Sequence, residues 1–293
     1  MPDISLRFNR DMLVVSSPVE NVLARQGVDM RRDLPYLSLI EPEGLADALR
    51  LDLLAGAQCL VMPTESLTPA RLAQISSADR GSSIARALFD LVRELKPQHI
   101  FAEVGSCGLP LDASSKASLN EHRGQYVRAA RDLSPLGIDA VLLSGFSRIT
   151  ELKCALMGFS QVLDVPLFAS IDIDGAGNLA ASGETLEEAF LSMADLGAAV
   201  GGFATSAPAE VASALVRRAR AAVDLPLMVQ LVVGSQSDRV GAPSAYASPD
   251  AMVTAAAHLH AAGAQFVRAA GKSTPAYTGA LAAAVTGLDV LDR

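Results

Sequence analysis

The chain is predicted to fold as one closed (β/α)8 barrel spanning residues 1–293. Three observations lead there. Eight short apolar runs recur along the chain, each followed by a segment long enough for a helix. The runs are apolar without alternation, the pattern of parallel strands buried on both faces. The length, 293 residues, suits eight β/α units, since such barrels run to roughly 250 residues or more as one domain. An open doubly wound sheet is the competing architecture. No G-x-G-x-x-G follows the first run, which weighs against a nucleotide-binding open sheet.

Taken in order, residues 1–11 read as a lead-in or edge strand. Met12–Val15 is the first strand, ended by Ser16-Ser17-Pro18. Val19–Gln26 is helical and stopped by Gly27; Pro42–Ala55 is an amphipathic helix closed by Gly56 at the C-cap position. Cys59–Met62 is the second strand, broken by Pro63, and Pro69–Leu95 is mostly helical with a polar break near Ser76-Ser77. His99–Val104 is the third strand, followed by Gly105-Ser-Cys-Gly-Leu-Pro110, a polar loop over Asp112–Asn120 and a helix over Glu121–Leu133. Ala140–Leu143 is the fourth strand, with a helix running on to Leu163. Pro166–Ile171 is the fifth, followed by a turn at Asp174–Asn178 and a helix over Thr185–Leu196. Ala199–Phe203 and Pro226–Val233 are the sixth and seventh strands. Helices follow at Pro208–Val223 and Pro249–Ala262. The eighth strand, Gln265–Ala269, opens into a Gly-rich turn, Ala270-Gly-Lys-Ser-Thr-Pro275, and a last helix.

Net charge is −8 with no run of Lys or Arg, so neither a nucleic-acid surface nor an anionic-membrane patch is expected. The three cysteines, at 59, 107 and 154, are odd in number and far apart, which indicates neither a disulfide framework nor a CxxC metal knuckle. The N-terminus lacks a basic region followed by an apolar core, and no apolar run reaches roughly 18 residues. A cytoplasmic protein, with a homo-oligomer as an option, is the expectation.

In a (β/α)8 barrel the site lies at the carboxyl ends of the strands. The side chains there form a hydroxyl-rich rim: Ser16, Ser17 and Glu20; Thr64 and Glu65; Ser106 and Cys107; Ser144 and Ser147; Asp172 and Asp174; Thr205 and Ser206; Gln230, Gly234 and Ser235; Arg268, Lys272, Ser273 and Thr274. Cys107 is a candidate nucleophile, but no His is near it in sequence, and a lone Cys is more often inert packing. Glu65 and Glu103 lie on neighbouring strands and suit an acid/base pair; Glu103 precedes its strand end, which favours a paired structural carboxylate instead. Asp172 and Asp174 alternate along the exit of the fifth strand and so share a face, although Asp before Gly is also ordinary turn chemistry. Cys107, Glu65 and Asp172 are thus the catalytic candidates. Ser16, Ser17, Ser144, Arg268, Lys272 and Ser273 are the substrate-binding candidates. His258 and His260 cannot converge, His99 begins a strand away from the rim and His122 opens a helix, so the four His build no zinc site. Gly271-Lys-Ser-Thr274 looks like the tail of a phosphate loop, but Phe266 stands where the preceding glycine belongs. The turn could still present backbone N–H groups and a Lys to an anion.

Ser182-Gly-Glu-Thr-Leu-Glu-Glu-Ala189, Ser147-Arg-Ile-Thr-Glu-Leu-Lys-Cys-Ala-Leu156 and Gly105-Ser-Cys-Gly108 carry a resemblance to the homocysteine S-methyltransferase family. That family includes the homocysteine-binding barrel of cobalamin-dependent methionine synthase and the betaine–homocysteine methyltransferases. The likeness runs over essentially the whole chain and implies a (β/α)8 barrel and S-methyl transfer. It also implies departures. The register of the family's D-G-A-M-G-T holds Ser16-Ser-Pro-Val-Glu-Asn21, and that of its E-T-N-T-F holds Val61-Met-Pro-Thr-Glu65. The family's P-N-A-G becomes Leu231-Val-Val-Gly234, and its glutamate after the fourth strand falls on Ser144. Its three zinc cysteines fall on Ala204, Ala270 and Gly271, with Arg268 and Lys272 flanking the last two. Zinc in this family lowers the pKa of the homocysteine thiol, and Ala and Gly cannot ligate it, so no zinc or other cofactor is expected. Two expectations follow. One is a divergent methyltransferase that takes another acceptor or activates a thiol without zinc. The other is a non-catalytic barrel that binds a small carboxylate or phosphate or partners a corrinoid or folate protein.

Overall fold

The computed structural model describes residues 3–8, 10–29, 34–179, 181–234 and 245–291; Ser235 of the predicted rim lies outside them. Eight parallel strands close into a barrel in sequence order. They are β1 (Leu13–Val15), β2 (Cys59–Met62), β3 (His99–Val104), β4 (Ala140–Phe146), β5 (Leu167–Asp172), β6 (Val200–Thr205), β7 (Leu227–Val233) and β8 (Phe266–Gly271). β1 pairs with both β2 and β8, which leaves no open edge. The connections carry α1 (Glu20–Arg25), α2 (Leu34–Ile40), α3 (Pro42–Leu54), α4 (Pro69–Ala73), α5 (Gly81–Glu94), α6 (Lys116–Leu133), α7 (Ile149–Ser160), α8 (Leu186–Asp195), α9 (Ala209–Ala222), α10 (Asp250–Ala262) and α11 (Pro275–Leu291). Among the described residues, no helix is long and apolar enough to cross a membrane.

Three segments differ from the sequence reading. The lead-in is a 3₁₀ turn, Ile4–Arg7, capped by Asp3, whose side chain accepts the Ser5 N–H. A closed barrel offers no edge for a ninth strand. The segment instead folds across the amino-terminal end, where Ile4 joins the interior cluster and Phe8 sits edge-on to Phe168 and Phe266. The polar stretch expected as a loop to Asn120 turns helical at Lys116, because the Ser115 hydroxyl accepts the Ser118 N–H and caps α6 there. A short helix, α2, precedes α3 where no element was expected. The break near Ser76-Ser77 is present, with Ser76 in the left-handed region at φ 59°.

Side chains alternate across each strand, and the burial clusters reveal which parity faces in. Leu13, Val15, Cys59, Val61, Phe101, Ala140, Leu142, Phe168, Val200, Met228 and Phe266 fill the barrel interior. The opposite parity, such as Val14, Leu60 and Val267, packs against the helices. Continuing the inward parity toward the carboxyl ends places Glu103, Ser144, Ser170, Asp172, Ala204, Gln230, Val232, Arg268 and Ala270 inside the barrel above an apolar floor. The fold thereby sorts one layer for stability and the next for chemistry.

At the opposite end, His99 is fully buried and neither ring nitrogen has a hydrogen-bond partner. Burial holds its pKa below the ordinary value, opposed by the charge of Asp139, with Arg7 and Asp11 also in range. The native state therefore keeps His99 neutral while the unfolded chain binds a proton. The stability this contributes is present above the unfolded value of about 6.5 and is lost as pH falls toward the folded value. Urea unfolding between about pH 7 and pH 5 is expected to show a shallower loss of stability in His99→Leu than in the unsubstituted protein.

Candidate functional site

The mouth of the barrel at the carboxyl ends of the strands holds a cavity of about 200 Å³. Its floor is a closed ion-pair network. Arg268, 2% exposed, reaches across from β8 to Glu103 on β3: its Nη1 donates to Glu103 Oε1 at 2.7 Å and its Nη2 to Glu103 Oε2 at 2.8 Å. Nη1 also donates to Gln230 Oε1 at 3.1 Å, and Nε donates to the Ser16 carbonyl at 2.9 Å. Ser144 donates to Glu103 Oε1 at 2.5 Å, and Gln230 Nε2 donates to Ser170 Oγ at 2.9 Å. Burial by itself would raise the Glu103 carboxyl; the Arg268 guanidinium and the Ser144 hydroxyl outweigh it and hold the group below the usual carboxylate range. Glu103 is thus the paired structural carboxylate, and it does not share a proton with Glu65.

The wall over β6, β7 and β8 is apolar: Ala204, Val232 and Ala270 form one small cluster that lines the cavity, with Gly271 beside them. Gly271 has φ 65°, and a Cβ there would lie 2.7 Å from the Val233 carbonyl oxygen. A side chain at this position therefore meets both backbone strain and backbone atoms.

Opposite this wall stand carboxylates with no hydrogen-bond partner among the described residues. Glu65 opens onto the cavity after β2, and Asp172 faces in from β5. Glu65 is exposed at the rim as a whole residue, but its carboxyl lies against the cavity wall; desolvation there, followed by the charges of Glu103 and Glu20, pushes it up to about 7. Burial alone pushes Asp172 up to about 6. Glu20, at the start of α1, has a buried Oε2 without a partner, and burial and then the Glu103 charge raise its carboxyl. Arg268 is thus surrounded by more negative than positive charge.

The other predicted rim residues are placed as follows. Ser16 Oγ accepts the Val61 N–H at 2.9 Å and ties β1 to β2. Ser17 turns away from the mouth and donates to Asp52 Oδ1 at 2.9 Å, which also accepts Thr278 Oγ1 at 2.6 Å; this joins β1, α3 and α11. Ser273 Oγ donates to the Ala269 carbonyl at 2.9 Å and is fully buried. Lys272 is exposed, its stem lying over Gly234. Asp174 accepts the Ala176 and Asn178 N–H groups at 2.9 Å, so it closes its own turn and does not join Asp172. Cys107 lies outside the barrel and does not reach the cavity: its N–H points to Tyr126 Oη and Glu151 Oε1, both at 3.1 Å, and burial raises its thiol. Cys59 sits in the interior floor and Cys154 on α7, so none of the three cysteines lines the mouth.

The segment that carries the sequence resemblance most strongly turns out to be scaffold. Thr185 and Glu188 form a reciprocal capping box on α8. Glu184 accepts the Ile149 N–H at 2.9 Å and so caps α7 from a neighbouring unit. Sequence reasoning missed Asn21, whose Nδ2 donates to the carbonyls of Gly271 (2.8 Å) and Ser273 (3.0 Å) and pins the β8 turn. It also missed Ser170. Gln230 and Ser170 were detectable as lone polar residues inside otherwise apolar strands.

The structure is thus an eight-stranded parallel barrel whose mouth holds a cavity walled by apolar residues on one side and carboxylates on the other. The sequence profile of the homocysteine S-methyltransferase family matches residues 22–285, and the chain belongs to that family. Among solved structures it is similar to the homocysteine methyltransferase MmuM from Escherichia coli. The metallated form shares 17% identity, with 94% of this chain and 96% of that chain covered and a TM-score of 0.75. The oxidised form shares 17% identity, with 95% and 99% covered and a TM-score of 0.77. The carboxyl transferase domain of Rhizobium etli pyruvate carboxylase, with 3-bromopyruvate, shares 13% identity at a TM-score of 0.53, covering 98% of this chain and 48% of that one. At these identities the likeness establishes the barrel alone. A search of curated proteins finds no significant match.

Proposed function

We propose that this chain transfers a methyl group between small molecules at the barrel mouth without thiolate-bound zinc, with Glu65 as the base for the acceptor. The observation that carries the reading is the composition of the cavity. Where the family resemblance assigns three zinc thiolates, the wall is Ala204, Ala270 and Gly271, which offer no donor atom. The donor set does not fit the metal, so no step is routed through it. The methyl-transfer chemistry itself is carried over from the family.

Glu65 suits the remaining task. A free thiol ionises near 8.5, and a carboxylate raised to about 7 is matched to take its proton near neutral pH. The sulfur lone pair then forms the new bond to the methyl carbon. The bond from that carbon to the donor heteroatom breaks with its electron pair left on the donor. The proton stays on Glu65 until it exchanges with solvent at the open mouth. The donor is a free small molecule or a corrinoid or folate protein docked over the mouth.

The alternative is a barrel without catalysis that binds a small carboxylate or phosphate or partners a corrinoid or folate protein. Its anion would rely on Arg268, Lys272 and Ser273; Arg268 is engaged by Glu103, Gln230 and Ser16, and Ser273 by Ala269, which leaves the exposed Lys272 as the remaining cation.

The test is methyl transfer to a panel of thiols from methylcobalamin, methylfolates and onium donors. Glu65→Gln is expected to lower kcat by about 10²–10⁴-fold and to remove an acidic limb near pH 7 from the pH profile of kcat/KM. No transfer from any donor, or an unchanged limb in the variant, contradicts the proposal.

A further inference from the structure

We infer that the chain carries a divalent-metal site away from the mouth, held by Cys107, His122 and Glu151. The three lie outside the barrel, on the loop after β3, on α6 and in the first turn of α7. Their ligand atoms are all within 4.8 Å of one another. All three are buried, at 0%, 1% and 9% exposure. A thiol, an imidazole and a carboxylate meeting in the interior are the donor types that zinc takes.

The hydrogen bonds of His122 supply an independent observation. Its Nδ1 lies 2.9 Å from the Ser118 carbonyl, and its Nε2 lies 3.3 Å from the Leu109 carbonyl. Both partners are acceptors only, and a neutral imidazole has one N–H. In a neutral ring only one of these contacts can be a hydrogen bond, and a metal at the other nitrogen would take its place. The 2.9 Å contact to the Ser118 carbonyl is the kind of supporting contact that orients a ligating imidazole, and Nε2, with the longer contact, is the nitrogen offered to the metal.

The rest of the cluster supports the assignment. Glu151 Oε1 already accepts Ser106 Oγ at 2.8 Å, Tyr126 Oη at 2.9 Å and the Cys107 N–H at 3.1 Å, which orients the carboxylate. One thiolate and one carboxylate balance the two charges of the ion. Binding releases the Cys107 proton and bound water to solvent, and the Cys107 sulfur pair forms the new bond to the metal. Zinc bonds of about 2.3 Å to sulfur and about 2.0 Å to nitrogen and oxygen require the ligand atoms to close to about 3.5 Å. Binding therefore requires the Gly105–Leu109 loop to draw in toward α6 and α7 by about an ångström. Cys154, one turn along α7 from Glu151, points its sulfur at the Leu119 carbonyl at 3.7 Å and is not a ligand.

The test is a titration of chelator-stripped full-length protein with Co²⁺ and then Zn²⁺. One equivalent is expected to bind with a thiolate-to-cobalt charge-transfer band that Zn²⁺ abolishes. The band should vanish in Cys107→Ser, persist in Cys154→Ser, and need about 10–100-fold more metal, or more still, in His122→Gln. Circular dichroism checks that each variant is folded. In the unsubstituted protein one equivalent of Zn²⁺ should also raise the urea unfolding midpoint, which needs no variant. No equivalent bound, a band that survives Cys107→Ser, or an unchanged midpoint overturns the assignment. The proposed function is read separately, by methyl transfer in Cys107→Ser protein, so the two readings fail separately.

Discussion

Arg268→Leu is expected to destabilise the protein by about 3–5 kcal/mol, because it leaves Glu103 as an uncompensated charge in the barrel interior. Arg268 is 2% exposed and the Glu103 side chain 13%, so water entering from the mouth replaces the lost partner only in part. The guanidinium also supplies donors to Ser16 and Gln230, and those acceptors are orphaned in the same step. The penalty should grow with pH. Without Arg268, burial and the neighbouring Glu20 and Glu65 carboxylates raise the Glu103 carboxyl above its unfolded value. Stability that is intact below the unfolded pKa is then lost as pH rises toward the folded one. Arg268→Leu combined with Glu103→Leu should recover much of the loss, since a buried ion pair replaced whole by apolar groups is often close to neutral. Urea unfolding of the two single variants and the double variant measures all three terms. A single-variant loss below about 1 kcal/mol would mean that the network contributes no more than a surface pair.

Phe168→Ala is the second large effect, at about 3–5 kcal/mol. Phe168 is fully buried on β5, with its ring 4.8 Å from those of both Phe101 and Phe266 and 6.1 Å from that of Phe8. These rings form the floor beneath the ion pair and the seat of the amino-terminal 3₁₀ turn. Strands on every side prevent collapse into the vacated space, which places the loss toward the upper end of that range. Leu54→Ala, at a position 77% exposed, should stay within about 0.5 kcal/mol. Thermal and urea unfolding of the pair distinguish interior packing from a general loss of apolar area.

The barrel was legible in the sequence because parallel strands buried on both faces leave unbroken apolar runs such as Cys59–Met62 and Leu227–Val233. The rim was legible because it follows the strand ends. The inward-facing side chains were not, since parity depends on a register that no local pattern states. Arg268 read as a free cation flanking a turn because its partner, Glu103, lies 165 residues away. Ser17 read as a ligand-binding hydroxyl because Asp52, its acceptor, is a charged residue buried on the inner face of α3, 35 residues away, where the sequence pattern gives no sign of burial. Cys107 read as a lone thiol because its neighbours, His122 and Glu151, come from two helices further along the chain. The Ser182–Ala189 segment is the reverse case: it carries the family resemblance, yet its side chains cap α8 and α7 rather than touch the cavity.

The measurement that bears most directly on the central claim is thiol methylation, homocysteine included, by Cys107→Ser protein before and after chelation and after re-addition of zinc. That background removes the inferred metal site and leaves the mouth untouched. A mouth walled by Ala204, Ala270 and Gly271 predicts methyl transfer at the same rate under all three conditions. Methylation of homocysteine that disappears on chelation and returns with zinc would contradict it, and would require metal ligands at the mouth other than the residues that line it.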